Sequence, residues 1–169
     1  MNKDIIKFAA LFILMLFAQV LICNHIALFN VAVPIVFIYF IIRLPINLGN
    51  GVLFTLAFFL GLMVDIASDT PGVNSLACTL LAAVKRPVYY AYVTRDDKTV
   101  NLTPSINTLG IGTYCKYLVT MVGIYCFLAF TIEYFNFADV KEIVILSASS
   151  CLFTFLILLA FDCLIISKS

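Results

Sequence analysis

The chain has 169 residues, 64% of them hydrophobic and only 11% charged, and its mean hydropathy is +1.14. Soluble domains are roughly 45–50% apolar, and ten Lys/Arg with nine Asp/Glu cannot clothe a soluble globule of this length, so the sequence reads as a membrane protein. A formal net charge of +1 gives no field for holding a polyphosphate, which excludes nucleic acid as a partner.

Crossing the hydrocarbon takes about 20 mostly apolar residues, and the apolar runs predict six transmembrane helices in one all-α bundle. The first spans about 5–23. Its start resembles a signal peptide, but no small-x-small cleavage site follows, and Ile22 precedes Cys23 where lipoprotein processing needs a small side chain, so it is expected to stay as a helix. The second spans about 27–43, with Pro34 near one end. The third, about 51–67, opens at Gly49-Asn50-Gly51. The fourth, about 73–93, carries Lys85-Arg86-Pro87 as an interruption before an aromatic patch suited to the membrane interface. A polar loop of about 94–108 leads to the fifth helix, about 109–134, and the sixth covers about 142–166. No soluble domain fits between them, and the chain forms a single domain, 1–169.

Six spans put both termini on one side, and the basic residues choose which. With the N-terminus in the cytoplasm, Lys3, Lys7, Arg43, Lys85, Arg86, Arg95, Lys98, Lys116 and Lys168 fall inside and only Lys141 outside. Asp69, Glu133, Asp139 and Glu142 then face out, and Asn24 and His25 lie in an outer loop.

The residues with chemistry are few. Cys23, Cys78, Cys115, Cys126, Cys151 and Cys163 form no CxxC pair or zinc spacing and read as small buried hydrophobes. No nucleophile elbow, HExxH or phosphate loop is present, so no enzyme and no cofactor is expected. Asp65 is the pointed case. An acid at mid-membrane costs about 2.5–3.5 kcal/mol, while the nine Val, Leu and Phe of Val52 to Val64 together gain roughly 3–5 kcal/mol. Asp65 therefore belongs at the outer helix boundary or against protein. Ala57, Gly61, Asp65 and Asp69 recur at intervals of four on one helix face, with Pro71 and Gly72 in the turn beyond, and Ser75 and Thr79 continue the small-residue stripe on the fourth helix. The spacing fits a face for close helix contact, within the chain or with a partner, better than an Asp65/Asp69 ion site. Lys116 and Asp162, each near the inner end of its helix, form a candidate intramembrane ion pair.

The stretch FLGLMVDIASDTPGVNSL, Phe59 to Leu76, resembles the most characteristic segment of the MreD family of rod shape-determining membrane proteins: an apolar helix ending Gly-Leu-x-x-Asp, a small polar turn, and a Gly opening the next helix. Gly61, Leu62, Asp65, Pro71 and Gly72 match it. Chain length, the six-helix layout, Pro34 and Arg43 extend the likeness. The resemblance implies a non-enzymatic scaffold of the elongasome in the bacterial cytoplasmic membrane, binding an MreC-like membrane protein. Through that assembly it would be linked to MreB, a RodA-type glycosyltransferase and a class B penicillin-binding protein. The family also resembles the substrate-binding components of energy-coupling factor transporters in fold, so the competing expectation is a small-molecule-binding or transport component of the vitamin-binding type.

Overall fold

A computed structural model describes residues 2–21, 34–93, 103–133 and 140–167. Residues 27–33 of the second predicted span, Cys23, the Asn24–His25 loop, residues 94–102 with Arg95 and Lys98, Asp139 and Lys168 lie outside the described residues, as do the side chains of Lys3, Lys7 and Glu142.

Among the described residues the chain is all-helical: α1 Asn2–Leu21, α2 Ile38–Arg43, α3 Asn50–Ser68, α4 Val73–Tyr92, α5 Ile106–Leu109, α6 Ile111–Glu133 and α7 Val140–Ser167. Three segments, Asn50–Ser68, Ile111–Glu133 and Ile143–Cys163, are long and apolar enough to cross a membrane, and α1 adds a shorter apolar stretch, Phe8–Leu21. The last residues of α1, α3 and α6 share one cleft with the start of α4, whereas Phe8, Leu44 and Val52 line a groove where α1 begins and α2 ends. These elements therefore run up and down between two ends of the bundle. Large apolar side chains such as Phe17, Ile66, Phe127, Leu152 and Leu156 point outward, as expected of a surface whose solvent is lipid.

The second predicted span is different from the expected helix over 27–43. Its described part is a non-helical stretch, Pro34 to Val36, followed by the six-residue α2, and every residue from Pro34 to Ile42 is buried. Pro34 lacks an N–H, and the backbone beyond it bonds to side chains of other helices. Ile35 N–H donates to Thr154 Oγ1 at 3.0 Å, Val36 N–H donates to Gln19 Oε1 at 2.8 Å, and Gln19 Nε2 donates to the Pro34 carbonyl at 3.1 Å. Irregular backbone at membrane depth is tolerated only where protein satisfies its polar groups, and Gln19 and Thr154 do that here. An apolar run thus became the centre of the bundle.

Three smaller differences follow from packing. Helix α4 runs unbroken through Lys85-Arg86-Pro87 because its two cations are used internally. Lys85 is wholly buried and donates to the Leu44 carbonyl at 2.5 Å; Arg86 Nε donates to the Ile46 carbonyl at 3.1 Å, and its Nη2 to that of Leu48. These carbonyls lie at and just beyond the C-terminal end of α2, where a helix presents partial negative charge. The end of the predicted polar loop carries a turn of helix, α5, closed by a capping box between Ser105 and Thr108, and Gly110 at φ 75° separates it from α6. Of the cysteines, Cys78 and Cys126 are buried as expected, but Cys163 is exposed.

Candidate functional site

The corner between α3 and α4 is built around two residues. Gly61 lies against the backbone of α4: a Cβ there would come within 2.5 Å of the Asn74 carbonyl oxygen and of Ser75 Cα. No other residue type allows that approach. One turn later, Asp65, only 5% exposed, points its carboxylate at the first turn of α4. Its Oδ1 accepts from Thr70 Oγ1 at 2.9 Å, Asn74 N–H at 2.9 Å and Asn74 Nδ2 at 3.0 Å; its Oδ2 accepts from Ser75 N–H at 2.8 Å and from the Ser75 hydroxyl. The first backbone N–H groups of a helix lack internal acceptors and favour negative charge. Gly72, which holds the N-cap position at φ 80°, has no side chain to serve them. Asp65 caps α4 from the preceding helix instead. Asn74 is fixed in turn by donation from the Tyr125 hydroxyl of α6 to its Oδ1 at 2.5 Å.

Of the predicted face, Ala57, Gly61, Asp65 and Ser75 are buried in the bundle, so this part of the small-residue stripe is not open to another protein. Thr79 is half-buried, and its hydroxyl donates to the Ser75 carbonyl of its own helix at 2.8 Å. Asp69, Pro71 and Gly72 are exposed on the turn, Asp69 at φ 53°, a left-handed conformation that Asp and Asn tolerate better than most residues. Both Asp65 oxygens are occupied by protein donors, and among the described residues no three His, Cys, Asp or Glu converge as a metal site. Thr70, Asn74 and Tyr125 complete the corner; the small polar turn of the sequence motif covers Thr70, and nothing in the pattern singles out Asn74 or Tyr125.

The Lys116–Asp162 ion pair does not form. Asp162, 2% exposed, pairs with Arg43 of α2 at 3.5 Å, and it accepts from Tyr39 at 2.6 Å and from the Tyr114 hydroxyl. Arg43 also donates to the Pro104 carbonyl at 3.2 Å, tying the segment before α5 to the bundle. Lys116 is exposed. It follows Tyr114 by two residues, about 200° around a helix, and Tyr114, Tyr117, Leu118 and Met121 form the buried face. The level along α6 matched, since Tyr114 reaches Asp162; the direction of Lys116 did not.

The tyrosines here give a graded expectation. Tyr39→Phe and Tyr114→Phe each remove a hydrogen bond to a buried carboxylate and should cost about 1.5–3 kcal/mol. Tyr117→Phe removes a buried hydroxyl that has no hydrogen-bond partner and should be neutral or stabilising. Lys116→Ala should stay within about 0.5 kcal/mol of the parent. Thermal melting of the purified variants in one detergent checks the order; a Lys116→Ala loss as large as that of Tyr114→Phe would contradict this pairing.

At the corner end, a cleft of about 440 Å³ opens between α1, the Pro34–Phe37 stretch, the α3–α4 turn and α6, lined by Gln19, Asp69, Thr70, Asn74 and Glu133 together with apolar side chains. At the other end, Phe8, Phe12, Phe40, Leu44 and Val52 line an almost wholly apolar groove. Comparison with family models, with curated proteins and with solved structures gives no match for the chain.

Proposed function

We propose that the chain is a non-enzymatic membrane scaffold of the bacterial cell-wall elongation machinery: a six-span bundle with both termini cytoplasmic, binding an MreC-like partner. The observation that carries this reading is the α3–α4 corner. The Gly-Leu-x-x-Asp residues on which the resemblance to MreD rests are the ones joined into a brace, Gly61 by backbone contact and Asp65 by five hydrogen bonds. A brace of this kind holds the turn Asp69 to Gly72 in a fixed position, as a docking rim requires. The partner's membrane helix would pack on a lateral face and its adjacent segment on that rim, with MreB, the RodA-type glycosyltransferase and the class B penicillin-binding protein reached directly or through the partner.

Co-expression of the full chain with an MreC-like protein tests the reading. Affinity capture should yield a stoichiometric complex, and a photo-crosslinker at exposed Pro71 should label the partner. No capture, together with normal cell shape after depletion, would refute it. The cleft at the corner end favours a second reading, a small-molecule-binding component, for which native mass spectrometry should find a retained solute.

A further inference from the structure

The last two helices meet through sulfur. Cys126 and Cys151 lie in Ile111–Glu133 and Ile143–Cys163, two of the segments long and apolar enough to cross a membrane. At the rise of an α-helix they stand about 10 Å from Glu133 and about 12 Å from Ile143, at similar depth below the connection between α6 and α7. The two helices pack against each other, and the Cys126 and Cys151 thiols hydrogen-bond across the interface. A second contact places the Cys151 sulfur independently: a Cβ on Gly123, one turn before Cys126 on α6, would lie 3.8 Å from Cys151 Sγ. The sulfur rests over the notch left by the missing Gly123 side chain, beside Cys126. Access to the two thiols is unequal. Cys126 is wholly buried, whereas Cys151 is half-buried and stands between the buried Ser150 and Leu152, which is 65% exposed on the outer face. Because this part of α7 is a candidate span, what reaches Cys151 comes from the surrounding hydrocarbon. Adjacent thiols of unequal access suit a sequence in which one sulfur is oxidised first and the other closes a disulfide onto it.

We propose that Cys151 and Cys126 form a redox pair, in which an organic hydroperoxide dissolved in the bilayer drives a disulfide between α7 and α6. In the first step the Cys151 sulfur attacks the terminal hydroperoxide oxygen and the O–O bond breaks. Cys151 becomes a sulfenic acid, and its thiol proton leaves with the alcohol. In the second step the Cys126 sulfur attacks that of Cys151, the S–S bond forms and the S–O bond breaks, and the hydroxide leaves as water with the Cys126 proton. The two thiols together lose two electrons, and the hydroperoxide is reduced to an alcohol and water. The bond pins α7, the most lipid-exposed of the three long apolar helices, to α6, and a thiol reductant reverses it. This chemistry is independent of the scaffold reading.

The test treats the full chain in nanodiscs with cumene hydroperoxide, which partitions into the bilayer, or with hydrogen peroxide, which stays in water. The protein is then denatured, alkylated with N-ethylmaleimide and analysed by mass spectrometry. Of the six cysteines, two should lose their alkylation sites, digestion should yield a linked pair of peptides containing Cys126 and Cys151, and dithiothreitol should restore both thiols. Cumene hydroperoxide should act faster than hydrogen peroxide. In Cys126→Ala, Cys151 should instead accumulate as a sulfenic acid that dimedone traps; in Cys151→Ala, Cys126 should stay reduced. The linked peptides of the parent chain decide the question even where a variant fails to fold. The proposal is overturned if both thiols remain open to alkylation after exhaustive oxidation, if they reach sulfinic acid without linking, if the links formed join other cysteines, or if hydrogen peroxide links the pair as fast as cumene hydroperoxide.

Discussion

Replacing Asp65 with Ala should cost the chain more stability than any other truncation of a side chain to Ala at the α3–α4 corner. It removes the acceptor of five hydrogen bonds at a buried position, and two of the donors are backbone N–H groups at the start of α4 that have no internal acceptor. Loss of a helix cap alone costs about 0.5–2 kcal/mol, and each buried donor left unpaired costs about 1–3 kcal/mol. The sum, allowing for partial relaxation, is about 4 kcal/mol. Asp65→Asn should be milder, because one carbonyl oxygen remains to accept. Chemical denaturation of the purified protein should rank parent above Asn above Ala, with the α3–α4 corner losing protection from amide exchange first. Equal stability of the Ala variant and the parent would show that the carboxylate is dispensable to the corner.

Gly61→Ala should destabilise as well, against its own helix propensity. In an exposed helix interior, Gly to Ala gains about 1 kcal/mol. At Gly61 the new methyl would meet the backbone of Asn74 and Ser75 at 2.5 Å, and backbone cannot rotate away as a side-chain tip can. The helices must separate, which also lengthens the Asp65 bonds to Asn74 and Ser75. Overpacking typically costs 1–3 kcal/mol, so a net loss of about 2 kcal/mol is expected, and Gly61→Leu should prevent assembly of the bundle. Gly51, in the same helix, has nothing within 4 Å of the point a Cβ would occupy, and Gly51→Ala should raise stability slightly. Opposite shifts in melting temperature for these two Ala variants are the signature; parallel shifts would contradict close packing at Gly61.

The long apolar runs made α3, α4, α6 and α7 legible in the sequence to within a few residues, since length and hydropathy are properties of the segment alone. The corner was legible in position too, from the cost of burying Asp65 and from the Pro71-Gly72 turn. A contact within the chain and one with a partner were both open readings of Asp65, and its hydrogen-bond partners were not legible, because they belong to the following helix and to a turn whose shape depends on Asp69 and Gly72 adopting left-handed backbone. The segment ending in α2 was misread because composition cannot distinguish a run surrounded by lipid from one surrounded by other helices. Asp162 was matched to Lys116 by depth, whereas pairing also needs the rotation of each helix about its axis, and that depends on which neighbours α6 and α7 have. Lys85 read as part of an interruption of the fourth helix for a related reason: the carbonyl it serves is 41 residues away in the chain.

The bonds that hold the stretch before α2 set an order of assembly during synthesis. Ile35 depends on Thr154, 119 residues later, and Tyr39 on Asp162, 123 residues later. A nascent chain that has completed only α1 to α4 therefore holds amide and phenol groups whose acceptors have not yet been made, and such groups are costly to leave in hydrocarbon. That segment must wait in a wet or protein-lined place until the last helix emerges, so a chain truncated before Thr154 should fail at its second segment and not only at its missing end.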